Sequence, residues 1–368
     1  MNDSGMFWNS PEENGEDKNA VAHEDLAFVT PLSVSKARKS YSAVGFGLAV
    51  YSVISLAVAL VIQVIALLVS PPLVEDILFL NVITPVSLYV FALPVLLLLL
   101  LAFGGKRERL EKKGMGFGEW MLIFVVSFGL MYIGSYAGQF VMGGLSALVG
   151  YDYSNMLETL VDVDKLWITA IFMCVVAPIG EEFVFRKLII DRTHKYGGFV
   201  CVFFSALAFG LMHANFYQFF YAFALGLVLG YVYYKTGRIW YSVALHAVIN
   251  FVGSVLTSYL TVGIEKMGKA LEALNLDDSE AVLAFLGDYG PTLLAEYAFV
   301  AFVFASMICA VVLPIVLRKK IKLERAEIAT SRKKMLSAAF LNAGAIVMIL
   351  VYAIQFVLTL VVPLLGNN

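Results

Sequence analysis

Residues 166–190, with the sequence LWITAIFMCVVAPIGEEFVFRKLII, form an apolar stretch that is long enough to cross a membrane and holds Glu181, Glu182 and Arg186 in its interior. An ionisable side chain in the middle of a bilayer costs roughly 2.5 to 3.5 kcal/mol on insertion scales. Such residues are therefore rare inside membrane helices, and they mark a functional site unless a structural need explains them. The stretch predicts both a membrane helix and a site within it.

The composition of the whole chain agrees with this prediction. Of its 368 residues, 60% are hydrophobic and 15% are charged, and the mean hydropathy is +0.83. Soluble proteins have about 45–50% apolar and about 25% charged residues, so the chain is predicted to be a polytopic membrane protein. The net charge of -2 argues against a nucleic-acid binder. Cys174, Cys201 and Cys309 fall in predicted spans without a CxxC spacing, which argues against a disulfide framework or a thiolate zinc site.

Nine apolar runs are candidate membrane helices, since about 20 apolar residues are needed to cross the hydrocarbon core. The fifth and sixth runs are separated only by a short polar turn around Asn215 and Gln218. The predicted fold class is therefore all-α, a polytopic membrane helical bundle of about eight or nine transmembrane helices. The runs cover residues 41–69, 78–103, 119–148, 166–190, 199–213, 216–234, 239–262, 293–317 and 336–363.

The loops between these runs alternate in charge, and this alternation predicts the orientation of the chain. Short loops rich in lysine and arginine lie on the cytosolic side of a membrane. The pattern therefore predicts a multi-pass protein of the cell membrane with a cytosolic N-terminus and, for an odd helix count, an external C-terminus. The basic segments are residues 36–39, 104–118, 186–195, 235–238 and 318–334, and the segments between them are acidic or neutral.

The same pattern divides the chain into four parts. Residues 1–39 are predicted to be a disordered acidic cytosolic tail, because they hold too little apolar surface to fold and lack the basic start of a signal peptide. Residues 40–165 contain the N-terminal transmembrane helices, and residues 166–262 form the transmembrane core that carries the site. Residues 263–368 are predicted to contain an extracytosolic loop and the C-terminal transmembrane helices.

The two adjacent carboxylates are predicted to differ in role. Neighbouring residues of an α-helix point about 100° apart, whereas residues four apart share a face. Glu182 is therefore spaced for an ion pair with Arg186, while Glu181 faces elsewhere and is left for chemistry. The alternative is that all three form a purely structural network. Pro178 and Gly180 just upstream suggest a kinked or interrupted helix, which is tolerated where it lines a cavity.

Two histidines and an asparagine in the following runs are further candidates. His213 ends the fifth run, where an interfacial or capping role is the alternative to catalysis. His246 and Asn250 lie one turn apart and project from one face of an apolar helix. The alternative for this pair is interhelical hydrogen bonding, which is worth only about 0.6 to 2 kcal/mol for each bond.

The predicted depths of these residues do not agree. Glu181 lies six residues from Lys187 and His246 lies eight from Arg238, whereas His213 lies fifteen from Gly198. At about 1.5 Å for each residue, this is a mismatch on the order of 10 Å. Either the fifth helix tilts or starts inside a cavity, or the predicted boundaries are wrong.

The ordered motifs Glu-Glu-x-x-x-Arg at 181–186, Phe-x-x-x-His at 209–213 and His-x-x-x-Asn at 246–250 resemble the signature of the CPBP family of intramembrane proteases. That family includes the CAAX prenyl endopeptidase, bacteriocin-processing and immunity proteins, and the Abi proteins. The resemblance covers about residues 165–255. Each motif alone is weak, but three in this order within membrane helices are specific.

The resemblance implies an endopeptidase whose site lies inside the bilayer and opens toward the cytosol. By analogy, Glu181 with His213 would activate the attacking water. His246 and Asn250 would stabilise the oxyanion, for which each donor typically contributes a few kcal/mol. The residues that would support the shape of the site are Glu182 and Arg186.

Zinc is the one cofactor that these residues bring into question. Two histidines and a glutamate can bind Zn²⁺ at a catalytic site. The family is often described as metalloproteases, and its CAAX endopeptidase branch also as metal-independent glutamate proteases. No HExxH motif is present. We predict no tightly bound metal; if one is bound, the expected ligands are Glu181, His213 and His246.

Two classes of function remain open. The first is an endopeptidase that cuts a prenylated CAAX tail, a leader peptide or a segment of a membrane protein. The second is a non-catalytic membrane scaffold or an immunity or regulatory protein with the same fold. The enzyme is favoured, because a scaffold has no need of His213 and Asn250 together. A transporter is less favoured, because the sequence shows no inverted repeat of interrupted helices. The expected partners are membrane lipid and a hydrophobic peptide or membrane-anchored protein, with no nucleic acid.

Overall fold

In a computed structural model, the backbone of residues 18–153, 160–323 and 330–366 is described, with the side chains from residue 34 to residue 365 of these ranges. Within this part of the chain all regular elements are helical and no strand occurs. The helices are α1 (Lys18–Val69), α2 (Ile77–Phe103), α3 (Phe117–Val149), α4 (Val163–Tyr196), α5 (Gly198–Met212), α6 (Phe216–Thr236), α7 (Ile239–Glu272), α8 (Ser279–Val316), α9 (Arg332–Phe340) and α10 (Ala343–Gly366). All but α5 and α9 are long and apolar enough to cross a membrane, which confirms the predicted all-α polytopic bundle.

The helix α4 lies at the centre of the bundle. It packs against α2, α5, α6 and α7. On one side, α1 packs against α2, α9 and α10, and on the other, α3 packs between α6 and α8. Glu182 and Arg186 are both fully buried, so these two charged side chains face protein rather than lipid, whereas Ile171, Val175 and Ile179 of the same helix are exposed.

The short helix α5 forms a hairpin with α4. Its 15 residues span about 22 Å, less than the hydrocarbon thickness of about 30 Å. The chain reverses at Gly197, whose φ of 114° is a conformation that residues with a side chain rarely adopt. The predicted fifth span is therefore present as a helix, but it reaches only part of the way across.

The N-terminal boundary differs from the prediction. The helix α1 begins at Lys18, so residues 18–39 are helical rather than part of a disordered tail, and residues 1–17 lie outside the described part of the chain. Ala37 is buried on the same side as Tyr41, Val44 and Leu48. This stripe of buried residues was hidden in the sequence, because basic side chains flank Ala37 and lower the average hydropathy.

Two boundaries near the C-terminus also differ. Only residues 273–278 connect α7 to α8, so most of the predicted extracytosolic loop is helical. These two helices are about 51 and 57 Å long and so project beyond the hydrocarbon core. The last predicted span, 336–363, is divided into α9 and α10 at Asn342, whose side-chain oxygen accepts a hydrogen bond from the backbone N–H of Ala345 (2.9 Å).

The basic loop 104–116 is tied to the ends of α4 and α6. The backbone N–H of Glu108 donates to the carbonyl of Asp191, and that of Lys113 donates to the carbonyl of Thr236, both at 2.8 Å. The buried carboxylate of Asp191 also lies 2.9 Å from Nε of Arg107. The loop therefore connects helix ends on the side of the bundle where the basic segments lie. We call residues 104–116 the basic brace.

Glycines of α3 allow α6 to approach closely. A side chain at Gly134 would collide with the backbone of Tyr221 in α6, and one at Gly138 would collide with the backbone carbonyl of Phe216. A side chain at Gly143, farther along α3, would meet open space. The small residues of α3 thus serve close helix packing in its central part only.

We predict that Gly134→Ala destabilises the fold by about 1 to 3 kcal/mol, because the added methyl group overpacks the contact between α3 and α6. Gly143→Ala is the matched control, and it should leave stability unchanged or raise it by up to about 1 kcal/mol, because alanine favours a helix. Thermal unfolding of the purified proteins in detergent micelles measures both. Equal unfolding midpoints for the two variants would contradict this account of the contact.

Candidate active site

The backbone of α4 changes its winding around the two carboxylates. The α-helical turn Ala177–Glu182 lies between two π-helical segments, Phe172–Val176 and Phe183–Ile190. Pro178 has no backbone N–H to donate to the preceding turn, so a regular ladder of hydrogen bonds cannot continue through it. The helix is not interrupted there, in contrast to one of the predictions. Wider π-helical turns are frequent at functional sites.

A buried ion pair forms the base of the site. Nε of Arg186 lies 3.1 Å from Oε2 of Glu182, and both side chains are 0% exposed. The ion pair predicted from the spacing is therefore confirmed. Nη1 of Arg186 also donates to Oγ of Ser205 (3.3 Å), and the guanidinium lies over the ring of Phe209 at 4.8 Å from its centroid. These contacts fasten α4 to α5.

The imidazole of His246 lies between the two carboxylates. Its Nδ1 is 3.2 Å from Oε1 of Glu182, within hydrogen-bonding distance. Its Nε2 is 3.6 Å from Oε2 of Glu181, which is too long for a hydrogen bond. The side chain of Glu181 is 14% exposed, whereas that of Glu182 is fully buried. One acid of the pair is thus enclosed by partners, and the other keeps an accessible face.

The ring of His213 is oriented by its own helix. Its Nδ1 lies 3.0 Å from the carbonyl oxygen of Phe209, and a carbonyl can only accept, so Nδ1 carries the proton. In a neutral ring, Nε2 therefore has the lone pair and can accept a proton. The next residue, Ala214, has a φ of 52°, and Asn215 donates from Nδ2 to the carbonyl of His213 (2.9 Å). This tight turn ends α5 directly after the imidazole.

The hairpin resolves the predicted mismatch in depth. The helix α4 continues to Tyr196, so Glu181 lies fifteen residues before the end of α4 and His213 lies fifteen residues after the start of α5 at Gly198. The mismatch arose because the predicted span ended at residue 190 and depth was counted from Lys187; the second alternative, a wrong boundary, is therefore the correct one. The ammonium of Lys187 instead lies 3.3 Å from the buried carboxylate of Asp191. The equal lengths bring Glu181 and His213 to a similar depth.

The amide of Asn250 links α7 to α4. Its Nδ2 donates to the carbonyl oxygen of Met173 at 2.7 Å. The interhelical hydrogen bond that the sequence analysis gave as an alternative is therefore present. An amide nitrogen has two N–H groups, so this contact leaves one of them for another acceptor. Asn250 also remains one turn from His246 on the same helix.

The residues predicted as metal ligands do not converge. The ring of Phe209 makes edge-on contacts with both histidine rings, with centroids 5.1 Å from His213 and 5.7 Å from His246. In the described ranges, no group of three or more His, Cys, Asp or Glu side chains is arranged to hold a metal ion.

The roles of two residues of the site, Ser205 and Phe209, were missed in the sequence analysis. Ser205 accepts from Arg186 and donates to the carbonyl of Phe185 at 2.7 Å. Its signal was a single hydroxyl in the apolar run CVFFSALAF, residues 201–209. Phe209 was noted only as part of a motif, yet it contacts Arg186 and both histidines. The contacts of Ser205 and Phe209 with Arg186, and that of Phe209 with His246, do not follow from periodicity, because each joins two different helices.

Comparison with known proteins matches the same segment of the chain as the motifs of the site. Residues 163–252, which include all the site residues, match the family model "Type II CAAX prenyl endopeptidase Rce1-like". The "Putative membrane peptidase YdiL" of Bacillus subtilis (strain 168) is 28% identical over 103 residues, which are 28% of this chain and 42% of that protein. The chain therefore matches less than half the length of this relative. No solved structure matches this chain. The findings confirm the resemblance to the CPBP family of intramembrane proteases.

We predict that Glu182→Gln destabilises the protein by about 3 to 5 kcal/mol, because it leaves the buried charge of Arg186 without a partner. Glu181→Gln keeps the side-chain volume at a partly open position and should change stability little. Folded yield and the thermal unfolding midpoint in detergent measure the difference. A larger loss for Glu181→Gln than for Glu182→Gln would reverse the structural assignment of the two acids.

Proposed function

We propose that the protein is an intramembrane endopeptidase that hydrolyses a peptide bond of a membrane-associated or hydrophobic substrate. The observation that carries the proposal is the state of Glu181. It has an accessible face within a membrane helix, beside an imidazole that the buried Glu182–Arg186 pair holds in place. A carboxylate placed in this way suits a general base better than a packing residue.

The reaction follows from the placement of the proton acceptors. Glu181 takes a proton from water, and the hydroxide attacks the carbonyl carbon of the scissile peptide bond. The carbon–nitrogen bond of the tetrahedral intermediate then breaks, and the proton passes to the departing amine. His213 lies at a similar depth with Nε2 free, so it can share the proton with Glu181 during these transfers.

The negative charge on the tetrahedral intermediate needs donors, for which we propose His246 and Asn250. Nδ1 of His246 faces Glu182, so donation from Nε2 requires a ring that carries both protons. The carboxylates on the two sides of the ring balance that charge. Asn250 has one N–H beyond the bond to Met173. Each such donor typically contributes a few kcal/mol to transition-state stabilisation.

The substrate class is proposed from the site and from the family. Glu181, His246 and Asn250 lie on helices long and apolar enough to cross a membrane, so a peptide reaches them most easily from the lipid phase or with a lipid anchor. Among a prenylated CAAX tail, a leader peptide and a membrane-protein segment, the matched family favours the prenylated tail as the first to test.

We predict that purified protein in liposomes cleaves a farnesylated CAAX peptide, or a peptide that accumulates in membranes of cells that carry Glu181→Gln, and that Glu181→Gln abolishes cleavage. Mass spectrometry of the products measures this.

Prolonged treatment with a strong chelator should leave the activity unchanged, because Glu181 and His213 supply the base. Loss on chelation with recovery on adding Zn²⁺ would refute metal independence. Identical peptide profiles from wild-type and Glu181→Gln cells would favour the scaffold.

We also propose that the N-terminus and the basic brace 104–116 face the cytosol. In a variant without the native cysteines, we predict that Ser279→Cys reacts with an impermeant thiol reagent on intact cells and that Lys112→Cys reacts only after lysis. Both positions are exposed in the structure, so accessibility does not separate them. Labelling of Lys112→Cys on intact cells would reverse the orientation.

A further inference from the structure

A tyrosine of α2 packs directly on the helix turn that carries Glu181. A side-chain carbon added to Gly180 would overlap the ring of Tyr89, so the ring lies flush against the backbone of α4. The hydroxyl of Tyr89 donates to the carbonyl oxygen of Ala177 at 3.4 Å. The absence of a side chain at Gly180 therefore makes room for an aromatic ring directly next to Glu181.

The hydroxyl of Tyr89 lies where the side chain of Glu181 extends. Ala177 precedes Glu181 by four residues, so both share one face of the helix. A helical side chain covers the surface above the turn that precedes its own Cα, which for Glu181 is the turn containing Ala177. The hydroxyl of Tyr89 and the carboxylate of Glu181 are therefore expected on the same patch of α4.

Among the described residues, no side chain donates a hydrogen bond to the carboxylate of Glu181. In the part of the chain that the structure describes, its closest partner is His246, and 3.6 Å is beyond a hydrogen bond. The hydrogen bond that Tyr89 donates to Ala177 is long, at 3.4 Å. Its acceptor is a backbone carbonyl of α4. Donation to the carboxylate requires the tyrosine hydroxyl to turn its proton away from this carbonyl.

We propose that Tyr89 is a positioning residue for Glu181, with its ring seated on Gly180 and its hydroxyl donating to the carboxylate that activates water. The proposal rests on the function proposed above. The hydroxyl keeps the carboxylate of Glu181 turned toward His246. The water that Glu181 activates and the oxyanion donors then approach the peptide bond from the same side. Gly180 is required because any side chain there displaces the ring.

The first test compares two variants that each remove one tyrosine hydroxyl. Tyr89→Phe keeps the ring on Gly180, and it should lower kcat on the order of tenfold to a hundredfold with KM nearly unchanged, as expected for a misplaced base. Tyr41→Phe is the matched control, because Tyr41 is fully buried and its electrostatic partners do not include Glu181. A wild-type kcat for Tyr89→Phe, or an equal loss for Tyr41→Phe, would overturn the proposal.

A second pair of variants tests the contact between the ring of Tyr89 and Gly180. Gly180→Ala should lower kcat in the same way, because the methyl group pushes the ring of Tyr89 away. Gly268→Ala on α7 is the control, because a side chain there meets open space. Thermal unfolding verifies that each variant is folded. If Tyr89→Phe does not fold, normal kcat in Gly180→Ala would still overturn the proposal.

A measurement without substrate separates this proposal from the proposed function. A hydrophobic carbodiimide modifies carboxyl groups inside membranes, and mass spectrometry gives the rate at Glu181. The rate should rise several-fold in Tyr89→Phe and stay at the wild-type value in Tyr41→Phe, because the released carboxyl group accepts the reagent more easily. Absence of cleavage by the wild type would refute the proposed function alone. An unchanged modification rate in Tyr89→Phe would refute the positioning role alone.

Discussion

The buried ion pair between Glu182 and Arg186 is the constraint on which the rest of the site depends. Two opposite charges at membrane depth are tolerated only when protein surrounds them and supplies further hydrogen bonds. This requirement explains why α4 lies at the centre of the bundle and why Ser205 and Phe209 of α5 contact the guanidinium. Breaking such a pair costs far more than the pair contributes, so its value lies in the geometry that it imposes.

That geometry gives adjacent acids separate roles. Successive residues of a helix point in different directions, so the partners of Glu182 cannot also enclose Glu181. His246 joins the two acids, with Nδ1 at 3.2 Å from one and Nε2 at 3.6 Å from the other. The enclosed carboxylate orients the imidazole, and the open one keeps room for water. Structural and reactive charges thus lie side by side, on the two sides of one imidazole.

The α4–α5 hairpin brings the groups from different helices to one level. The turn at Gly197 and the equal distances of Glu181 and His213 from it decide their depth. Lys187 misled the prediction, because a basic residue was taken to mark the membrane surface. In the folded protein it pairs with Asp191 and donates to the hydroxyl of Tyr233 at 2.9 Å. A lysine whose partner is a buried acid can lie well inside a helical bundle.

The sequence alone determined the helical class, the approximate spans, the Glu182–Arg186 pair and the family resemblance. These depend on composition or on spacing within one helix, where a period of 3.6 residues decides which side chains meet. Tertiary structure alone decided that His246 lies between two carboxylates and that Phe209 contacts His246. It also placed the ring of Tyr89 on Gly180. Such contacts join separate helices, and their register follows from turn geometry and close packing, which local sequence patterns do not encode.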